Sequence, residues 1–304
     1  MLNGVLVVDK PAGLTSHDVV DGVRRRLRQR RAGHTGTLDP FATGVLPVCL
    51  GKATRLARFL SEGEKAYHAT VRLGVATTTD DLTGEPIGEP RRVELGIAEI
   101  ERACARFVGE IRQLPPAYSA KRVGGQRLYE LARRGMTVER EASRVTVHAL
   151  EVLSVAGERV ELAVRCSAGT YVRALARDLG DSLEVGGHLV ALRRVRSGSF
   201  DLEQAVPWDE LASARPERVV PMSRLLPDLP EVRVGSEGAS ALRHGRGLFR
   251  EAVISGFPET PAPRMRVLDE SGALLGLAVP RGFGHDAPSL PIEPWLHPDV
   301  VLVD

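Results

Sequence analysis

Apolar residues in this chain recur with a period of two in some segments and near 3.6 in others, and the two patterns alternate without a regular strand–helix–strand spacing. That ordering constrains the fold more than any other feature. A repeating βαβ period would wind a parallel sheet, so its absence favours an α+β architecture, a mixed and largely antiparallel sheet flanked by helices. Gly4 to Val8 reads as a buried strand, and Pro11-Ala12-Gly13 turns the chain. Ser16 is placed to N-cap a helix with Val19, Val20, Val23 and Leu27 on one stripe. A Gly-rich loop runs from Gly33 to Gly44, followed by a helix from Thr54 to Leu60, a strand from Tyr67 to Leu73 and a polar loop from Thr77 to Gly84. Helical spacing returns at Ile97, Ile100, Ala103, Cys104, Phe107 and Val108. Pro115-Pro116 opens an irregular stretch, with a short helix from Leu128 that Gly135 stops.

Val145–Val155 and Arg159–Cys166 read as paired strands around Ala156-Gly157-Glu158. A helix is predicted over Thr170–Leu179 with Gly180 as its terminator, and another strand begins at Val190. The chain has 304 residues, more than one domain usually holds. The Pro-containing segment Pro221–Pro230 marks a junction, after which short strands at Val232–Val234, Arg264–Leu268 and Leu274–Val279 suit a small β-barrel.

The formal net charge is only +2, but residues 1–60 carry ten basic side chains against four acidic ones. Six of them are arginines between Arg24 and Arg31. A local excess of this size points to a polyanionic partner, although cations near a helix C-terminus are also favoured by its dipole. The three cysteines, Cys49, Cys104 and Cys166, are far apart and lie in apolar settings, so they read as buried thiols rather than a disulfide framework or zinc site. With no signal-peptide pattern and no apolar run of about 20 residues, the expectation is a cytoplasmic protein without a membrane span.

Four clusters could carry chemistry. In Gly33-His34-Thr35-Gly36-Thr37-Leu38-Asp39-Pro40, two glycines precede a carboxylate and a proline stiffens its exit. In Cys166–Arg173, Gly169-Thr170 opens a helix, and Arg173 in the first turn opposes the helix dipole unless it meets a carboxylate or phosphate. Lys65-Ala66-Tyr67 begins a strand, and Lys10-Pro11 ends one. Taken singly, each is also compatible with an ordinary turn, salt bridge, packing or surface role.

In combination these segments resemble a known family. Residues 3–16, the run Arg31–Pro47, Gly51-Lys52-Ala53-Thr54-Arg55, Lys65-Ala66-Tyr67, Pro116–Lys121, Cys166–Gly180 and Leu189–Arg194 are similar, in order and spacing, to the TruB-type tRNA pseudouridine-55 synthases. The likeness spans roughly residues 3–210. It implies a pseudouridine synthase catalytic domain over 1–227, with an RNA-gripping insertion near 115–143. A small PUA-like β domain over 228–304 would follow, carried by Val234-Gly235 and Arg243-His244-Gly245-Arg246-Gly247.

By this resemblance the T-arm uridine of tRNA is flipped out, detached at N1 and rejoined through C5, without cofactor or metal. Asp39 would be the nucleophile, Arg173 its partner and Tyr67 the residue against the base. His34, Tyr171, Leu192 and Lys10 would hold the nucleotide. Arg24, Arg28, Arg31, Lys52, Arg55, Arg58, Lys121 and Arg122 would grip RNA phosphates, in a protein acting as a monomer. Three rivals are weighed against this: a tRNA-folding chaperone without chemistry, a guide-RNA-dependent synthase acting on ribosomal RNA, and a two-carboxylate hydrolase. The hydrolase lacks a well-placed second acid, since Asp80 and Asp81 lie in a loop that reads as a polar connection.

Overall fold

The computed structural model describes residues 2–118, 122–123, 126–127, 140–213, 216–256, 262–280 and 295–303. An eleven-stranded sheet forms the larger part. Its first strands are β1 (Gly4–Lys10), β2 (Ala32–His34), β3 (Thr43–Leu50) and β4 (Lys65–Leu73). Across the sheet the order is 206–207, β1, β3, Gly187–Ser197, β4, Arg159–Cys166, Ser143–Ala156 and Gly109–Gln113. Only the pairs of β1 with 206–207 and of β3 with Gly187–Ser197 are parallel, so the sheet is mixed and largely antiparallel, as its sequence periods imply.

Strand alternation divides the core. Along β1, Val5 and Val7 face one cluster with Val45, Cys49 and Phe59, while Leu6 and Val8 face another with Val19, Val23 and Leu46. A strand covered on both faces reads as a continuous apolar run, which is what Gly4–Val8 is. On β4 only one face is buried, so Tyr67, Ala69, Val71 and Leu73 alternate with more exposed residues and pack with Leu162, Leu175 and Leu189.

Several local expectations shift. Thr15, not Ser16, caps the first helix, α1 (Ser16–Arg26), in a capping box with Asp18, which frees Ser16 for a buried role. The Gly33–Gly44 loop is shorter than expected, because Ala32–His34 pairs with β3. The predicted Thr54–Leu60 helix is a 3₁₀ segment, Gly51–Leu56, followed by one α-turn, Ala57–Ser61. The Thr170 helix begins at Val172 and runs to Ser182, through Gly180. Gly180 lies inside this helix because a Cβ there would come 2.2 Å from the Gly187 backbone nitrogen, so the missing side chain serves close approach rather than termination. The predicted helix from Leu128 lies outside the described residues.

Beyond Pro230 a second sheet runs in the order Val253–Ser255, Glu231–Val234, Met265–Leu268, Leu274–Pro280 and Leu296–Val301. Among the described residues these strands form an open sheet, so the expected closed barrel is not found. The helix Ser236–Arg243 covers it, burying Leu242 with Val234, Met265 and Ala278. The two sheets share a core in which Leu268, Leu277 and Val300 pack with Val5, Val45 and Leu225. No helix among the described residues is long and apolar enough to cross a membrane.

Gly180→Ala gives a sign test of this packing. At an unconstrained helical site the change stabilises by about 1 kcal/mol. Here it is expected to destabilise by about 1–3 kcal/mol, because the Cβ meets rigid backbone. A thermal midpoint equal to or above that of the parent would refute the close-approach account.

Candidate active site

Asp39 sits in the loop between β2 and β3, and both flanks of its backbone are fixed. On one side the buried Ser16 hydroxyl donates to the Leu38 carbonyl (3.1 Å) and accepts from the Leu38 N–H (2.8 Å). On the other side the Ala42 N–H donates to the Asp39 carbonyl at 3.1 Å, closing a turn with Pro40 at the position its fixed φ suits. Lys10, the last residue of β1 and wholly buried, donates to the carbonyls of Pro11 (2.8 Å), Pro40 (3.1 Å) and Ala42 (2.7 Å). Those three bonds match its three N–H donors. The expected substrate-side lysine therefore holds the loop from behind.

Arg173 lies in the first turn of the Val172–Ser182 helix, 5% exposed, and meets a carboxylate as its unfavourable dipole position implied. Its Nε lies 2.9 Å from Asp39 Oδ2, and its Nη2 donates to Asp39 Oδ1 at 3.1 Å. Nη1 reaches Asp81 Oδ2 at 3.2 Å and the Thr79 carbonyl at 3.2 Å, while Nη2 also donates to the Tyr118 carbonyl at 2.8 Å. One planar guanidinium thus bridges two carboxylates, a geometry a lysine cannot reproduce. Asp81 is 5% exposed and is itself held, its Oδ1 accepting from the hydroxyls of Thr79 (2.7 Å) and Thr83 (2.6 Å) and from the Thr83 N–H (2.9 Å). Asp39, by contrast, keeps 30% of its side chain exposed, so a reactant can reach it.

Asp81 is the functional residue that the sequence reading passed over. The second acid judged to be missing is present, but it holds the arginine rather than standing free. Asp80 beside it pairs with Arg177, one helical turn after Arg173, at 2.8 Å.

The wall of the site comes from two paired strands. Tyr67 on β4 stands opposite Arg194, and Leu192 opposite Ala69. Tyr67 and Leu192 are both buried in the cluster that includes Leu38, Ala42 and Val172. Arg194 is 1% exposed and was not singled out as a site residue, although it shares strand parity with the apolar Leu192. His34 is half-buried at the loop entrance, its Nδ1 accepting from the Gly36 N–H at 3.3 Å. Tyr171 precedes the Arg173 helix, and the side chain of the buried Gln113 clasps its backbone, accepting from the N–H (2.8 Å) and donating to the carbonyl (3.1 Å).

The expected phosphate contacts separate into groups. Arg28 and Arg31 are exposed, and Lys52 is half-buried. Arg24 donates to Asp21 and to the Ala32 carbonyl, which ties it to its own helix and to β2. Arg55 and Arg58 turn toward the second sheet, donating to the Val301 carbonyl and to Asp299, both at 2.6 Å. Their guanidinium groups join the two sheets, and both residues remain exposed. Lys121 and the side chain of Arg122 lie outside the described residues.

Burial pushes the Asp39 carboxyl above its ordinary range; the Arg173 guanidinium opposes that shift and the Asp81 charge adds to it. Burial pushes the Tyr67 phenol up, with Arg194 opposing. Burial also brings Lys10 down to about 8 and Lys65 to about 8. The three cysteines are buried, as expected, and burial raises each thiol. Among the described residues no group of His, Cys, Asp or Glu side chains is placed to hold a metal ion.

Residues 24–172 match the TruB family pseudouridylate synthase N-terminal domain, and residues 173–226 match the tRNA pseudouridylate synthase B C-terminal domain. The tRNA pseudouridine synthase B of Solibacter usitatus is 44% identical over 282 residues, covering 91% of this chain and 95% of its own. That of Symbiobacterium thermophilum is 50% identical over 247 residues, covering 80% and 82%. Among solved structures, an H/ACA RNP bound to a substrate RNA containing 2'-deoxyuridine aligns with a TM-score of 0.75 and 26% identity, covering 99% of this chain and 85% of that one.

Arg173→Met would strand Asp81 in the interior beside Asp39. A loss of roughly 3–5 kcal/mol is expected at neutral pH, the usual effect of removing one partner from a buried pair. The stranded carboxyls then have folded-state pKa values above their unfolded ones, so the penalty is full at neutral pH and eases as acid protonates them. Denaturation at pH 7.5 and pH 5 should show this, and adding Asp81→Asn should recover part of the loss. An equal loss at both pH values would contradict it.

Proposed function

The chain belongs to the TruB family of pseudouridylate synthases, and from that premise we propose that Asp39 is the nucleophile with which it isomerises the T-arm uridine at position 55 of tRNA. It is a tRNA pseudouridine synthase, an isomerase. In the reaction the N1–C1′ bond breaks, C5 bonds to C1′ and loses its proton, and N1 gains one. The observation that carries the assignment is the Asp39 carboxylate, gripped by the two-nitrogen fork of Arg173 yet open on one side.

The geometry supports the following roles. Arg173 orients Asp39 and favours its charged form against the cost of burial. Tyr67 and Leu192 wall the base pocket, and the raised phenol pKa makes Tyr67 a poor proton acceptor, better suited to stacking and hydrogen-bond donation. Lys10 and Ser16 fix the loop that presents Asp39. His34 and Tyr171 flank the nucleotide. Flipping the uridine out costs a few kcal/mol, offset by phosphate contacts from the exposed Arg25, Arg28, Arg30 and Arg31.

Residues 1–227 form the catalytic domain in this reading, with an RNA-gripping insertion near 115–143. Residues 228–304 form a PUA-like appendage that contacts RNA, supported by the exposed Arg243 and Arg246 at the end of its helix. The protein acts as a monomer on the T-arm stem-loop. A guide-RNA-dependent reading predicts that the isolated protein leaves a bare T-arm hairpin unmodified, whereas this one predicts pseudouridine there.

Pseudouridine mapping on unmodified tRNA tests the nucleophile. Asp39→Asn should lower the rate by about 10³-fold or more, with tRNA affinity within about threefold of the parent, since the phosphate contacts are untouched. A variant that still turned over normally would end the assignment.

The rate should fall on acidification, through a pKa above the ordinary carboxylate range, as Asp39 takes up a proton. Asp81→Asn removes a like charge and should move that acid limb to lower pH. An unmoved limb would separate Asp81 from the titration.

A further inference from the structure

Among the described residues Arg194 is the largest fully buried side chain, and it lies outside the Asp39–Arg173–Asp81 array. A buried arginine usually faces a carboxylate. Arg194 has none at ion-pair distance among the described residues. Its Nε donates instead to the Val45 carbonyl at 2.7 Å and its Nη2 to the Gly36 carbonyl at 3.1 Å. Those carbonyls bracket the loop that carries Asp39. On the paired strands Arg194 stands directly opposite Tyr67, and its positive charge opposes the upward push of burial on the phenol.

Asp39 and Asp81 are met by Arg173, and Asp39 also lies within electrostatic reach of Lys10. Arg194 adds a further buried positive charge opposite Tyr67. A positive charge beside a buried phenol favours electron density on its oxygen, which makes the O–H a stronger donor.

We infer that Arg194 is a positioning residue that aims the Tyr67 hydroxyl, as a hydrogen-bond donor, at the uracil ring while negative charge gathers there during N1–C1′ cleavage. This rests on the assignment of isomerisation to the Asp39 site. The electrons of the breaking bond pass into the ring and return when C5 bonds to C1′, so the hydroxyl stabilises the charge without keeping or losing a proton.

The test is a double-mutant cycle on unmodified tRNA under single-turnover conditions. Arg194→Lys and Arg194→Gln are each made in the parent and in Tyr67→Phe, and thermal melting identifies the variants that keep the folded state. In the parent, the Arg194 change should lower the rate of the chemical step at least tenfold with KM within about twofold. In Tyr67→Phe it should cost less than about threefold further, because the group it acts through is gone.

Equal fold-losses in both backgrounds would overturn the inference, as would a rate unchanged in the parent. Loss of the folded state in both Arg194 variants would also overturn it, by making the residue a scaffold alone. Asp39→Asn run in parallel keeps the two readings apart. Normal turnover by that variant removes the nucleophile assignment, whereas its inactivity together with additive Arg194 losses removes only this inference.

Discussion

A single guanidinium shared by two carboxylates is the constraint on which the rest of the site depends. Arg173 reaches Asp39 with two nitrogens and Asp81 with a third, from a position only 5% exposed. Taking three charges out of water costs several kcal/mol per ion unless every donor and acceptor is matched. The match here is close. The two remaining bonds of the guanidinium go to the carbonyls of Thr79 and Tyr118, and Asp81 takes three more bonds from its own loop. The hydrogen bonds of Asp81 serve to fix the arginine, and the arginine fixes Asp39. Asp39 alone retains appreciable exposure, so the array is rigid at its inner end and accessible at its outer one.

Such an array is useful only if the backbone beneath Asp39 is equally fixed, and the sheet supplies that. Lys10 ends β1, Ser16 begins α1, and Arg194 lies on the strand paired with both β3 and β4. Each directs a polar group at backbone of the 36–45 segment. Gly44 completes the fit, since a Cβ there would lie 2.2 Å from the Arg194 carbonyl oxygen and its φ of +103° suits glycine. The loop is thus bound to three elements of the core rather than left as a surface excursion, which lets a short Gly-rich segment hold one carboxylate in a defined pose.

Much of this was legible in the residues, and the exceptions have physical causes. Alternation at Tyr67–Leu73 and Arg159–Cys166 identified strands because one face of each is buried. Arg173 was legible because a cation at a helix start conflicts with the dipole and so calls for an anion. Asp81 was not, because a Thr-rich polar segment reads as a turn in any local window, while its partner lies 92 residues away. Gly180 misled for a related reason: a helical glycine can mark an end or a close contact, and only the tertiary neighbour Gly187 decides. Arg194 carried a signal that strand parity offered, an arginine in phase with Leu192, but parity alone cannot say what a buried cation faces.

Arginine plays three physically distinct parts in this chain, and composition alone cannot separate them. Arg173 and Arg194 are buried and act through fixed geometry at short range. Arg55 and Arg58 reach across to Val301 and Asp299, and Arg58 and Arg264 also lie over the Phe59 ring, so these charges bind the second sheet to the first. Arg25, Arg28, Arg30 and Arg31 remain exposed. An exposed cation contributes little to folding, so a dense group of them is stable only in the sense of being tolerated, and its effect is felt on a polyanion that approaches from solution. The positive charge counted at the start of the sequence is therefore partly bracing between the two sheets. The exposed group near the end of α1 acts on a polyanion at a distance.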